Sequence, residues 1–170
     1  LATGNRRKGP QLASIRHFTP VAMPRIEKRH ELHGSRIVYG MSMGGFNAAQ
    51  LCLRRPDLWS KCIMQNAMLT TCDSFGQNKL TCLTGFLVRA NFEHDEWLKN
   101  DPAMFAGAVD VDRLPPILVT GATDDHFGLY NGDRAFAYML QQRGAQVKWH
   151  SYVGDHETFD PKVVADFILD

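Results

Sequence analysis

The fold of this chain is decided at Tyr39-Gly40-Met41-Ser42-Met43-Gly44-Gly45, where an apolar run ends and a helix-favouring run begins. Residues 36–39 (Arg-Ile-Val-Tyr) have the apolar, β-branched character of a short strand. Residues 46–51 (Phe-Asn-Ala-Ala-Gln-Leu) favour a helix. The stretch therefore predicts a strand, a sharp turn and a helix, with a serine on the turn.

A serine on such a turn has a possible chemical role. Gly40-x-Ser42-x-Gly44 fits the nucleophile elbow, in which strained backbone presents the serine and glycines let strand and helix approach closely. A serine hydroxyl is a weak nucleophile until a base takes its proton and N–H groups stabilise the oxyanion. The alternative is a glycine-rich turn with a bystander serine, and the rest of the chain has to decide between them.

Composition narrows the function classes. The chain has 170 residues, of which 44% are hydrophobic, enough for one core and a single domain over residues 1–170. A net charge of +1 argues against nucleic acid as a partner, and the basic cluster 6–8 belongs to an expected flexible segment, 1–10. No apolar run reaches the roughly 18 residues of a membrane span.

The cysteines do not form a metal or redox motif. They stand ten residues apart, at Cys52, Cys62, Cys72 and Cys82, without a C-x-x-C pair. We expect Cys52 and Cys62 to be small buried apolar residues. Cys72 and Cys82 flank a polar loop and would pair only in an oxidising compartment, so a reduced, cytoplasmic setting is the preferred interpretation.

Strands and helices alternate along the rest of the chain. Segment 11–33 reads as mostly helical with a late start or break near Pro24, and 67–112 as an irregular, partly helical insertion with helices at 80–90 and 101–108. The predicted strands are 35–40, 61–66, 117–121 and 146–152, and the main helices are 43–55, 131–143 and 161–169. This alternation predicts an α/β fold, a mostly parallel sheet flanked by helices.

Three polar groups follow the ends of predicted strands. Ser42 follows the first, Asp124 and Asp125 the third, and His156 the fourth. The carboxyl ends of parallel strands share one edge of a sheet, so these side chains should lie near one another. His126 and His150 are alternatives to His156, although an imidazole beside the acid or inside a strand is more often structural.

The sequence resembles the α/β-hydrolase superfamily, and within it esterases similar to esterase D, S-formylglutathione hydrolase and the antigen 85 group. The resemblance rests on four segments: Pro24 to Arg29, Gly40 to Gly45, Pro115 to Asp124, and Gly154-Asp155-His156. It implies a small-molecule carboxylic ester or thioester substrate, an acyl-enzyme intermediate, and neither a metal nor an organic cofactor.

The same resemblance assigns roles to individual residues. Ser42 would be the nucleophile, His156 the general base, and Asp124, three residues after Gly121, the acid that orients the imidazole. Asp125 competes for that last role, because relatives also show Asp-x-Phe at this point. The backbone N–H of Met43 would be one oxyanion donor.

The segment before the first strand departs from the family pattern. Full hydrolases have several strands there, one of which ends in a loop that gives the second oxyanion donor. We therefore expect one of three situations: a hydrolase truncated at the N-terminus, a sheet completed by self-association or a partner chain, or a domain that has lost catalysis. The rival functions are a hydrolase-like binding or assembly module and an acyltransferase that uses the same acyl-enzyme.

Overall fold

The computed structural model describes residues 18–69 and 101–170. The chain divides into two compact units, one ending at Ser35 and the other running from Arg36 to Asp170. The second unit contains every residue of the candidate site. The predicted helix at 80–90, the predicted flexible segment 1–10, Cys72 and Cys82 all lie outside the described residues.

The described residues of the first unit, 18–35, contain one regular helix. A π-helical turn, Phe18–Ala22, leads into α1, Met23–His30. Pro24 lies in the first turn of α1, where its missing N–H would have no intrahelical acceptor anyway, so the helix starts there instead of breaking. Glu31 ends α1 in the left-handed region, at φ 52°, and its N–H donates to Glu27 O. An α-helix therefore begins near Pro24, while residues 11–17 of the predicted helical segment lie outside the described residues.

The described residues of the second unit form a four-stranded sheet with helices between the strands. Its strands run in the spatial order β1-β2-β3-β4, and all neighbours pair in parallel. The strands are β1 (Ile37–Met41), β2 (Lys61–Gln65), β3 (Ile117–Ala122) and β4 (Val147–Tyr152). The helices are α2 (Met43–Arg54), α3 (Pro102–Ala106), α4 (Tyr130–Gln142) and α5 (Pro161–Leu169), with 3-10 turns at Pro56–Leu58 and Val111–Arg113.

Adjacent residues of β2 show which helix covers which face of the sheet. Cys62 Sγ lies 3.9 Å from Ala48 O of α2, whereas Ile63 packs in one cluster with Phe167 of α5. Successive strand side chains point to opposite faces, so α2 and α5 cover opposite sides. Since Tyr130, at the start of α4, packs over Gly121 on the α2 side, the sheet lies between two helical layers.

Burial follows position in the sheet. All six residues of β3 are buried, which fits its continuous apolar sequence and central place, whereas β4 is only partly covered. Cys52 and Cys62 are free thiols and buried, as predicted.

Within the described residues β1 pairs with β2 alone, so the strand that precedes Ser42 is an edge strand there. No described helix is long and apolar enough to cross a membrane.

The structure thus confirms the predicted α/β architecture. Each predicted strand and main helix is present, with its ends shifted by at most two residues. The predicted helix at 101–108 is a shorter one, α3.

Candidate active site

Ser42 lies on a sharp turn between β1 and α2. Its backbone has φ 55° and ψ −121°, a conformation that non-glycine residues rarely adopt. Hydrogen bonds hold the strained peptide on both sides: Ser42 N–H donates to Gln65 O, and Ser42 O accepts from Phe46 N and Met68 N. The strain persists because the end of β2 and the first turn of α2 fix this backbone together.

Two glycines let α2 approach the sheet. A Cβ on Gly40 would lie 2.0 Å from Gly44 O, and a Cβ on Gly45 would lie 2.3 Å from the Cβ of Ala67. A Cβ on Gly44 would meet nothing within 4 Å. The requirement for glycine after the serine therefore falls on Gly45, whereas the sequence pattern had placed it on Gly44.

His156 and Asp125 form a buried pair. The Nδ1 of His156 lies 2.7 Å from Asp125 Oδ2, and the two side chains are 6% and 1% exposed. The other carboxylate oxygen of Asp125 accepts the N–H of Phe127, at 2.8 Å. Both oxygens of this buried carboxylate are thus hydrogen-bonded, which fixes its orientation toward the imidazole.

The partner of His156 corrects one sequence prediction. Asp124 was the preferred acid, but its side chain is exposed, and its backbone N–H donates to Gly154 O. Both aspartates belong to the short turn after β3, and the bond from Asp125 N to Ala122 O turns the chain so that the second one points inward. Asp125 is the residue that contacts His156.

The loop that carries His156 is held by its own side chains. Thr158 Oγ1 donates to Asp155 Oδ1 at 2.8 Å, and Asp155 N donates back to Thr158 Oγ1 at 3.2 Å. The hydrogen bond from Thr158 lowers the pKa of Asp155. His156 sits between these two residues, so the closed turn limits where its imidazole lies.

Sequence reasoning missed Asn66, which lies directly after β2. Its side chain is fully buried, and its Nδ2 donates to His156 O at 2.7 Å and to Thr158 O at 3.1 Å. Its Oδ1 accepts from Ala122 N and from the Tyr152 hydroxyl, each at 2.9 Å. The one signal for it in the sequence is a polar side chain at the carboxyl end of a predicted strand.

Asp133 of α4 is a second buried carboxyl group near the site. Its Oδ2 accepts the N–H of Ala67, at 2.9 Å. Burial raises the pKa of Asp133 well above its usual range; the Ala67 hydrogen bond opposes this shift, and the nearby charge of Asp125 adds to it. The carboxyl group therefore favours its neutral form more than an exposed aspartate does.

An apolar cluster connects α2 with the imidazole. Phe46, Met68 and Leu129 are buried together, and Phe127 packs against them. The Phe127 ring also contacts the His156 ring nearly at right angles, with centroids 4.8 Å apart. The helix that follows Ser42 and the loop that carries His156 therefore share one packed interface.

The remaining candidates occupy other places. His126 is exposed, with its ring 5.8 Å from that of His156 and its Nδ1 4.0 Å from Glu157 Oε2. His150 lies on β4, where its Nε2 is 3.4 Å from Asp160 Oδ2. Met43 is the first residue of α2, so its N–H has no acceptor within the helix.

Among residues 18–69 and 101–170, no three His, Cys, Asp or Glu side chains are grouped to hold a metal.

The family model described as "Putative esterase" matches residues 19–168. The chain belongs to this esterase family. No curated protein sequence matches the chain.

Solved structures share the fold of this esterase family member. An acylaminoacyl peptidase in complex with Z-Gly-Gly-Phe-chloromethyl ketone has a TM-score of 0.71 and 16% identity, covering 87% of this chain and 26% of that one. A fungal esterase from Rhizomucor miehei has a TM-score of 0.64 and 21% sequence identity, and the match covers 94% of this chain and 56% of that one. The Staphylococcus aureus fluorophosphonate-binding serine hydrolase F has a TM-score of 0.61 and 17% sequence identity, and the match covers 80% of this chain and 55% of that one. The fold is that of the α/β-hydrolases, and this chain spans between a quarter and just over half of these structures.

The two glycines after Ser42 generate a stability prediction. We expect Gly45→Ala to lower the free energy of unfolding by about 1–3 kcal/mol, because the new methyl group overlaps buried Ala67. Gly44→Ala is the matched control and should raise it by about 0.5–1 kcal/mol, since this helical position is open. Urea unfolding followed by circular dichroism measures both. Equal effects of the two changes would contradict the assignment of the close contact to Gly45.

Asp133 generates a pH prediction. Below about pH 4 the carboxyl group is neutral in both folded and unfolded chains. As the pH rises, the unfolded chain ionises first because the folded pKa is raised, so the wild type loses stability relative to Asp133→Asn. We expect the variant's advantage in unfolding free energy to grow from pH 4 upward.

Asp57 provides a control of opposite sign for that experiment. A hydrogen bond from Arg55 lowers the pKa of Asp57, so this carboxylate contributes stability that is present above about pH 4 and is lost as the pH falls. Asp57→Asn should therefore lose stability relative to the wild type as the pH rises. A difference between Asp133→Asn and wild type that is constant with pH would contradict the raised pKa.

Proposed function

We propose that this protein is a serine hydrolase that cleaves carboxylic ester or thioester bonds through an acyl-enzyme on Ser42. The observation that carries the proposal is the buried His156–Asp125 hydrogen bond, at the same sheet edge as the strained Ser42 turn. Membership of the esterase family supports the same chemistry. The Ser42 turn is then the nucleophile elbow, and Ser42, His156 and Asp125 form the triad.

The Asp125 contact suits His156 to the role of general base. With Nδ1–H donating to the carboxylate, Nε2 carries the lone pair that accepts a proton. In the proposed first step Nε2 takes the Ser42 hydroxyl proton while Oγ bonds to the ester carbonyl carbon. The adjacent negative charge of Asp125 stabilises the imidazolium that forms, and burial strengthens this interaction.

The later steps follow from the same groups. The tetrahedral intermediate carries its negative charge on the former carbonyl oxygen, where the N–H of Met43 would donate a hydrogen bond. The imidazolium gives its proton to the leaving alcohol or thiol as the carbon–oxygen or carbon–sulfur bond breaks, which leaves the acyl group on Ser42. Water then gives a proton to His156 as its oxygen bonds to the acyl carbon. The imidazolium returns that proton to Ser42 Oγ as the bond from the acyl carbon to Oγ breaks, which releases the acid and regenerates Ser42 and His156.

A fluorophosphonate probe tests whether Ser42 is activated. We expect one covalent adduct by intact mass, absent in Ser42→Ala and formed at least 100-fold more slowly in His156→Ala, because the base supplies about that factor. Ser151→Ala, which removes an exposed hydroxyl from β4, is the matched control and should react like the wild type. A folded wild type that forms no adduct would overturn the proposal in favour of a hydrolase-like binding module.

Paired substitutions test the identity of the acid. We expect Asp125→Asn to lower the second-order labelling rate on the order of a thousandfold, since an amide favours the wrong imidazole tautomer. Asp124→Asn, one residue away and exposed, should stay within about threefold of wild type. Circular dichroism establishes that both variants are folded. A large loss in Asp124→Asn with a silent Asp125→Asn would restore the assignment made from the sequence.

A further inference from the structure

We propose that Asn66 is a positioning residue that sets the place of His156 relative to Ser42. The inference rests on the proposed function, in which these two side chains exchange a proton. Asn66 contacts neither reacting atom; it acts through the main chain on both sides. The turn 66–69 after β2 is the element through which it acts.

One end of this turn holds the His156 loop. Both N–H groups of the Asn66 amide donate to carbonyl oxygens of that loop, those of His156 and Thr158. The amide oxygen accepts from β3 and from the Tyr152 hydroxyl at the end of β4. An asparagine side chain has two donors and two acceptor positions. Both donors and one acceptor position are used here, and the second acceptor position is used when the Tyr152 hydroxyl donates to Asn66 instead of to Thr158 O.

The other end of the turn holds Ser42. Met68 N donates to Ser42 O at 3.3 Å, two residues after Asn66. Between them Ala67 N donates to Asp133 Oδ2, and Ala67 Cβ fills the space left by Gly45. Three consecutive residues therefore bind the His156 loop, α4 and the Ser42 turn, so a shift at Asn66 changes the spacing between Ser42 and His156.

The chemistry of asparagine suits this position. Asn66 has φ 40°, in the left-handed region that asparagine tolerates better than most residues. Aspartate has the same shape but lacks both donors, and its oxygens would face the carbonyls of His156 and Thr158. Glycine keeps the backbone conformation and removes every side-chain hydrogen bond.

Tyr152→Phe supplies the matched control for Asn66→Asp. The Tyr152 hydroxyl contacts the same cluster, donating to Asn66 Oδ1 or to Thr158 O, but it makes no bond to His156. Its removal therefore disturbs the loop while leaving the two Asn66 donors in place. If Asn66 had only a structural role, Asn66→Asp and Tyr152→Phe would lower the labelling rate equally wherever they lower the free energy of unfolding equally.

The experiment measures labelling by the fluorophosphonate probe, at a temperature where every variant is folded. We expect Asn66→Asp and Asn66→Gly to lower the limiting labelling rate on the order of 100-fold, with the half-saturating probe concentration within about threefold, because misplaced reacting groups cost about this factor. Tyr152→Phe should stay within about fivefold. The proposal would be overturned if the limiting labelling rate fell equally in Asn66→Asp, Asn66→Gly and Tyr152→Phe. It would also be overturned if both Asn66 variants were labelled at the wild-type rate. If Asn66→Asp does not fold, Asn66→Gly carries the same comparison.

A spectroscopic readout separates this inference from the proposed function. The proton between His156 Nδ1 and Asp125 should give a downfield NMR signal in the wild type, absent in Asp125→Asn. We expect the signal to be shifted or exchange-broadened in Asn66→Asp and retained in Tyr152→Phe. If the wild type does not label at Ser42, the proposed function fails, whereas an unchanged signal in Asn66→Asp overturns the positioning role alone.

Discussion

The side-chain amide of Asn66 lies buried where β2 ends and holds the ends of β3 and β4 to the loop that carries His156. A buried donor or acceptor left without a partner costs about 1–3 kcal/mol, so a misfit at this one side chain would destabilise several connections together. The candidate site depends on this amide because His156 belongs to an irregular loop. Such a loop has no strand ladder to fix it, and its carbonyl groups need fixed donors instead.

Two buried carboxyl groups near the site have different electrostatic roles. Asp125 has hydrogen bonds to both of its oxygens, from Phe127 N and the His156 ring, which suits a charged carboxylate. Asp133 is deep in the core, and burial together with the charge of Asp125 raises its pKa. Because its raised pKa favours the neutral form, Asp133 adds less negative charge near Asp125 than an exposed aspartate would.

The fold was predictable from sequence because strand and helix periods, and the glycines between them, are local properties. The predictions that failed concern side chains whose roles depend on contacts that these local patterns do not contain. Asp124 and Asp125 stand in one turn, and which of them faces His156 depends on a hydrogen bond to Ala122. The G-x-S-x-G motif selects Gly44, whereas packing against Ala67 makes Gly45 the position that must lack a side chain. Asn66 acts across a separation of 90 residues, which no local pattern records.

The described part of the chain accounts for the acid–base chemistry more fully than for oxyanion stabilisation. Ser42, Asp125, His156 and Asn66 all lie in the unit that starts at Arg36, at the ends of its four parallel strands. In the proposed mechanism Met43 N–H is one oxyanion donor, and loss of a single donor costs about 10²–10³ in rate. In the proposed mechanism, activation of Ser42 therefore depends on His156 and Asp125, whereas fast turnover depends also on how completely the oxyanion is stabilised.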